Sequence, residues 1–529
     1  MSVIRDLDAD TTDGIRLIRE AQPRLMLRAT RRDWIGLAVL ALPCLLYSMD
    51  LTVLNLAVPR INVSLRPSGT ELLWMLDIYG FLLAGFLIPM GNLGDRIGRR
   101  RLLLAGGVAF GVTSVFAAFS TSAETLIVAR AILGIAAATL APSTLSLIRN
   151  MFLDPRQRTV AISVWVTSFS AGAALGPVLG GLLLQRFWWG SVFLLAVPVM
   201  IMLLILGPSL LPEFRDPNPR RLDFVSIALS LFTVLPVIYA IKQFAQDGVT
   251  WISITAMVVG LAVGVIFVRR QGRLADPLLD LRLLRIPAFS SALAINLLSL
   301  LALGGVFMFV AQYFQLVVGL SPWAAGLWTL PSAVGLILGS AAAPLLAGRI
   351  RAGVAIAASL VVAAVGFAML TQVYGAAGLM VAAFSTVLLA LGVSPAVALA
   401  TDLIVGAVPR EHAGMAAGMS ETSTELGGAL GIALLGAVGL AVYRSQIAHD
   451  ALLSTQSVAV ASNTLGAALM LADHMPSDSG AMLTVLARDG FTQGMHVASL
   501  LGAAITLSAA IIAGLVLKSG PDSSATGTG

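Results

Sequence analysis

The sequence predicts an all-α integral membrane protein of about fourteen transmembrane helices, and three observations predict it. The 529 residues are 58 % hydrophobic and only 11 % charged, with a mean hydropathy of +0.92. A water-facing shell cannot hide that much apolar surface, so the bilayer is the solvent that fits. The apolar residues also gather into runs of roughly 20 or more, the length that crosses a hydrocarbon core about 30 Å thick as a helix. Finally, Lys and Arg sit in the short gaps between these runs and favour alternate gaps, as topology signals do.

Taken in order, the runs lie at 34–58, 71–93, 102–121, 124–148, 159–185, 189–211, 223–244 and 249–268. The second half supplies 288–316, 323–347, 352–373, 377–405, 414–442 and 496–517. A further run, Ser457–Leu471, is short and diluted by Ala, Ser and Asn, which predicts a surface loop.

Orientation follows from the basic residues. Clusters at Arg96–Arg101, Arg149–Arg158, Arg215–Arg221, Arg269–Arg285 and Arg349–Arg351 fall on the side of the N-terminal tail. Arg60, Arg66, Arg186, Lys242, Arg444 and Arg488 are scattered on the other side. The positive-inside rule then places both termini in the cytoplasm and requires an even number of helices. The polar first 33 residues show no cleavable signal, so the first helix is expected to act as an uncleaved insertion signal.

The net charge of +6 does not indicate nucleic-acid binding, because the basic residues form no stripe with interleaved aromatics. The single cysteine, Cys44, lies within an apolar run and implies neither a disulfide nor a redox centre. His412, His449, His474 and His496 lack metal spacing and are expected to be solvated. No metal site and no cofactor are expected. No Ser/His/Asp-type cluster marks a membrane-embedded enzyme, and no G-x-x-x-x-G-K-[ST] loop marks ATP as an energy source.

The stretch Gly91-Asn-Leu-Gly-Asp95-Arg96-Ile-Gly98-Arg99-Arg100-Arg101 follows the second helix. It resembles the G-x-L-x-D-R-x-G-R-R loop of the major facilitator superfamily, at the position where that family carries it. Arg130-Ala-Ile-Leu-Gly134 looks like the family's R-x-x-x-G element in helix 4. Gly172-Ala-Ala-Leu-Gly176-Pro177-Val-Leu-Gly180-Gly181 resembles the helix-5 element of its exporters. Asp50-Leu-Thr52-Val53-Leu-Asn55, Trp74–Tyr79 and Ser420–Gly428 resemble the fourteen-helix drug:proton antiporters, in the branch that expels quaternary ammonium antiseptics and intercalating dyes. The likeness covers residues 34–517, while the second copy of the latch loop is reduced to Gly348-Arg349-Ile-Arg351.

Within the runs, each ionisable group at membrane depth needs a reason, because burying it is costly. Asp50 lies about 24 Å above the inner face at ~1.5 Å per residue, and Asp77 and Arg130 lie about 9 Å below the outer face. All three fall in one outer layer, where Arg130 can pair with an acid and protonation can release it. A static ion pair that fixes packing is the alternative. Glu421 and Glu425 stack on one face of helix 13 near mid-membrane. Carboxylates so close do not both ionise readily in a low dielectric, which suits exchange of a proton for a cation. Asp402, within a turn of a helix end, reads as structural. Gly172, Gly176, Gly180 and Gly181 are expected to let helices approach closely, with Pro177 adding a bend. Trp74, Tyr79, Trp165, Phe169, Phe309, Tyr313 and Met415 are the candidates for lining a flat-cation pocket.

The resemblance implies two six-helix bundles that rock to give alternating access. The expected organisation is a tail at 1–33, a first bundle at 34–211, and a linker at 212–287 carrying two inserted helices. A second bundle follows at 288–517, interrupted by an outside loop or hairpin at 443–495, with a tail at 518–529. The implied activity is proton-coupled efflux of lipophilic cations from a bacterial inner membrane, driven by the proton-motive force, with a monomer as the working unit. Asp50, Asp77, Arg130, Glu421 and Glu425 would carry coupling and cation binding. Gly91, Asp95, Arg96, Gly98 and Arg99 would form a gating loop. Export of one endogenous metabolite or antibiotic by the same fold is the alternative.

Overall fold

The computed structural model describes residues 28–67, 69–215, 223–247, 249–274, 277–374, 378–448, 460–462 and 464–517. Among these residues the chain runs through long helices with no strand. Six form a first set: α1 (Arg31–Leu65), α2 (Gly69–Ile97), α3 (Arg99–Ala118), α4 (Ala123–Met151), α5 (Pro155–Arg186) and α6 (Ser191–Leu210). The pair α7 (Phe224–Asp247) and α8 (Trp251–Gln271) follows. A second set comprises α9 (Pro287–Val317), α10 (Pro322–Arg349), α11 (Ala352–Leu370), α12 (Gly378–Gly406), α13 (Ala413–Ala448) and α14 (Ser477–Val516). Among the described residues, thirteen helices are apolar and long enough to cross a membrane. The remaining helix of the first set, α5, has 32 residues, with Arg156 and Arg158 at its start and Arg186 at its end.

Helix starts follow from capping. Thr30 with Asp33, Ser122 with Thr125, and Thr250 with Ser253 form reciprocal side-chain caps on otherwise unpaired N–H groups. Asp154 caps α5 ahead of Pro155, which has no N–H to satisfy.

Leu40, Tyr79, Leu133 and Phe193 belong to a continuous core that binds α1 to α6. The second set packs in two tiers, one around Ile295, Leu360 and Ala400, the other around Phe309, Phe367 and Tyr443. The α7–α8 hairpin docks by α7 against α2 and α13. Phe81 and Ala84 meet Ile238 there, and Gly85 leaves room for Leu231 and Leu235. α8 leans on α7 through Gly260 and turns Val258, Leu261, Val265 and Ile266 outward. Asp223 caps α7 and ties it to the end of α8 through Arg270, at 2.8 Å.

Several sequence expectations need correction. The last helix starts at Ser477, well before the predicted 496, because its first turns pack on protein instead of spanning lipid. In the stretch expected to be loop, Leu465–Ala472 is a helix packed on α14, so this part of 443–495 is an ordered hairpin. α1 extends through Leu65, beyond the predicted end at 58. His496 is not solvated: it is 9 % exposed, meets the Tyr374 ring edge to face at 4.7 Å, and has Nε2 within 3.2 Å of the Val373 carbonyl. His449 and both tails beyond residues 28 and 517 lie outside the described residues.

Candidate functional site

The first polar layer joins α1, α2 and α4. Asp50 and Arg130 form a buried ion pair, with Arg130 only 1 % exposed. Arg130 Nε also donates to the Met75 carbonyl at 3.2 Å, and the guanidinium carbon lies 4.5 Å from the centre of the Tyr79 ring. One cation thus satisfies a carboxylate, a helix carbonyl and an aromatic face, a fit that a lysine ammonium could not reproduce. Gly134 lets α4 approach α2 here, since a Cβ would run into the Tyr79 carbonyl. The backbone of Asp77 lies within α2, but its side chain is outside what the structure describes.

One turn along α1, a second layer crosses between the two sets. The Tyr47 hydroxyl donates to Glu425 Oε1 at 2.7 Å. Tyr47, Trp165 and Phe169 from one side, and Glu421, Thr424 and Glu425 from the other, line a cavity of about 250 Å³. The rings of Trp165 and Phe169 meet edge to face at 4.7 Å, and Phe169 meets Tyr47 at 5.2 Å. The Trp165 indole N–H donates to Thr144 Oγ1 at 2.9 Å, which fixes the ring in the wall. Both glutamates therefore face one space, as their four-residue spacing predicts. Of the other aromatic and methionine candidates, Trp74 stacks on Tyr239 of α7, whereas Phe309, Tyr313 and Met415 pack in the cores.

The arginine-rich face carries the closure between the sets. Arg99 is 1 % exposed, ion-paired to Asp95, and donates Nη1 to the Gly91 carbonyl at 2.8 Å. Its guanidinium occupies the space that a Cβ on Gly414 would need, and a Cβ on Gly91 would strike the Gly414 carbonyl. Only glycines permit this approach of α2 to the start of α13. Gly98, at φ +113°, takes a conformation that disfavours a side chain, and Glu213 sits against it. Glu213 accepts from the Arg100 backbone N–H at 3.2 Å and lies 3.6 Å from both Arg100 Nε and Arg101 Nε. Arg96, grouped by its sequence with this loop, is exposed, and among the described residues no ion pair holds it.

A second lock lies beside it. Asp402 of α12 accepts from Arg158 Nε at 2.5 Å and from Thr159 Oγ1 at 2.7 Å, both on α5. Arg149 Nε donates to the Val405 carbonyl at 3.2 Å, and Ser340 Oγ to the Ser163 carbonyl at 2.7 Å. Asp402 thus joins the two sets, a role that its place within one helix did not reveal. Among the described residues, the hydrogen bonds between the first and second sets lie at Glu425 or on the arginine-rich side of it.

In the helix-5 element, a Cβ on Gly172 would meet the Leu45 carbonyl, so this glycine sets the contact of α5 with α1. Gly176 and Gly180 are buried, Gly181 faces open space, and the Pro177 side chain lies outside the described set. Sequence reasoning missed Tyr47, Arg158 and Glu213. Tyr47 resembles any interfacial aromatic, Arg158 reads as a topology charge, and Glu213 lies in a loop.

Comparison with known proteins agrees with this geometry. The profile of the Major Facilitator Superfamily matches residues 40–432. The chain is 45 % identical over 491 residues to the multidrug efflux pump LfrA of Mycolicibacterium smegmatis, covering 93 % of this chain and 97 % of that one. It is 33 % identical to the methyl viologen resistance protein SmvA of Salmonella typhimurium, covering 88 % and 94 %. The crystal structure of the human organic anion transporter MFSD10 shares the fold, with a TM-score of 0.58 at 15 % identity over 92 % of this chain and 100 % of that one. The chain therefore belongs to the major facilitator superfamily, as a multi-pass membrane transporter and not an enzyme.

Proposed function

We propose that this protein exports lipophilic cations from the cytoplasm of a bacterium in exchange for protons. The observation that carries the reading is the cavity between the two sets, where Glu421 and Glu425 face Tyr47, Trp165 and Phe169. Aromatic faces attract cations and carboxylates neutralise them, and the two together suit a flat organic cation better than a sugar or an anion. The names of the relatives support the same class, since LfrA is a multidrug efflux pump and SmvA confers resistance to methyl viologen, a flat dication.

With the arginine-rich face in the cytoplasm, as the positive-inside rule places it, the described state is closed toward the cytoplasm. In this state protons from outside reach the carboxylates. Protonation of Glu425 or Glu421 removes the charge that holds the cation, and protonation of Asp50 loosens Arg130 from α1. The Arg99 and Asp402 locks then open, and the empty cavity turns inward with its protons.

Ethidium efflux from proteoliposomes with an imposed pH gradient tests the proposal. Gradient-dependent efflux is expected in the wild type and is expected to be lost in Glu425→Gln and Asp50→Asn. Efflux indifferent to the gradient would remove proton coupling, and absence of ethidium transport by the well-folded wild type would favour a narrow-specificity exporter.

A further inference from the structure

We infer that the connector between α8 and α9 holds a second ligand site, for the phosphate headgroup of an anionic phospholipid. A cavity of about 220 Å³ lies there, away from the central one, lined by Gln271, Leu274, Pro277, Asp280, Arg282 and Arg285 among others. Its floor is built: Gln271 is 2 % exposed, donates Nε2 to Ser226 Oγ at 2.7 Å, and accepts at Oε1 from the Leu279 N–H at 3.2 Å.

Two guanidiniums share its rim for a geometric reason. Leu283–Arg285 is a 3₁₀ turn, and the Arg285 N–H donates to the Arg282 carbonyl at 3.0 Å. Side chains three apart on such a turn eclipse, so Arg282 and Arg285 project on one side. Among the described residues neither has an ion-pair partner, in contrast to Arg270, which Asp223 neutralises. Asp280 also lines the cavity, but its Oδ1 accepts from the Arg282 backbone N–H at 3.0 Å, and among the described residues it makes no ion pair. Among the described lining residues, two guanidiniums and one carboxylate make the rim net positive, and a phosphate can accept paired hydrogen bonds from guanidinium forks.

The surroundings select a lipid over a free ion. The connector joins two helices of membrane-spanning length, and the positive-inside rule places it on the cytoplasmic side, where the headgroups of the inner leaflet lie. Beside it, α8 turns Val265, Ile266 and Val268 outward, and the connector exposes Leu284 and Ile286. An acyl chain has an apolar track along α8 while its phosphate sits among the arginines, and basic pockets at this depth are suited to anionic headgroups. Topology alone would need the charges but not the cavity, its closed floor or the eclipsed pair.

The test uses the full-length protein in detergent, with thermal unfolding followed as phosphatidylglycerol, phosphatidylcholine or inorganic phosphate is added. Phosphatidylglycerol is expected to protect the wild type at a concentration at least tenfold below phosphatidylcholine. The double variant Arg282→Gln/Arg285→Gln is expected to bind phosphatidylglycerol about thirtyfold more weakly, which is about 2 kcal/mol at 1.4 kcal/mol per tenfold. Arg349→Gln/Arg351→Gln, an arginine pair elsewhere on the same face, is expected to keep the preference. Arg285→Lys, which retains charge without the fork, is expected to keep part of it and guards against misfolding of the double variant. The assignment is overturned if the double variant keeps the preference, if the control pair loses it equally, or if inorganic phosphate protects as well as the lipid does.

Discussion

Replacing Asp402 with alanine tests the closure of the arginine-rich face most directly. The carboxylate accepts two hydrogen bonds from α5, one of them from the charged Arg158, and the two side chains are 14 % and 12 % exposed. Both partners become solvated when the halves separate, so the substitution acts on the closed-to-open equilibrium more than on folding. A hydrogen bond to a charged group is worth about 1.5–3 kcal/mol, which shifts that equilibrium roughly ten- to hundredfold toward opening. The single native cysteine, Cys44, is buried, and Cys44→Ala gives a background for one reporter thiol at Thr401 on the cavity wall. Labelling from the arginine-rich side by an impermeant maleimide in inside-out vesicles should accelerate by about that factor in Asp402→Ala. Adding Arg158→Ala should change little, because the interaction is already lost. An unchanged labelling rate in Asp402→Ala would refute the idea that this contact holds the two halves together.

Two further outcomes follow from the same structure. Asp50→Asn leaves the 1 %-exposed Arg130 without its counter-ion and should destabilise the first bundle by about 3–5 kcal/mol, the usual cost of breaking a buried pair; Asp50→Asn/Arg130→Gln should regain thermal stability without regaining transport, and a double variant as unstable as the single would contradict this. At the foot of the α7–α8 hairpin, burial pushes the Asp223 carboxyl up, but hydrogen bonds from Ser226 and Arg270 outweigh it and hold it below the ordinary range. A depressed carboxylate stabilises above its unfolded pKa and loses that contribution as pH falls through its folded one. Amide exchange in α7 and α8 should therefore rise below about pH 4 in the wild type, and Asp223→Asn should show the faster exchange already at neutral pH.

How much of the site was legible depended on what each residue had to announce. Asp50, Arg130, Glu421 and Glu425 are charges inside apolar runs, and such charges stand out because the bilayer penalises them. Gly91, Asp95 and Arg99 form a contiguous motif, so their grouping was visible. The motif nevertheless did not reveal that Arg99 is buried against Gly414 while Arg96 points outward. Tyr47, Arg158, Asp402 and Glu213 were ordinary residues until folding supplied their partners, 378 positions away for the Tyr47–Glu425 bond and 244 for Arg158–Asp402. His496 was misjudged because a histidine near an apolar boundary gives no sign of the Tyr374 ring that covers it.

By itself, the sequence determined the solvent, the helix type, the approximate spans and the superfamily, since hydropathy, run length and short motifs are local properties read without knowledge of contacts. Helix ends were less certain where protein replaces lipid as the neighbour, as in Leu465–Ala472 and the first turns of α14. Only the tertiary structure decided which acid pairs with Arg130, which tyrosine meets Glu425, and which residues close the arginine-rich face. Those choices depend on distances between helices remote in the chain, which the hydropathy of each helix leaves undetermined.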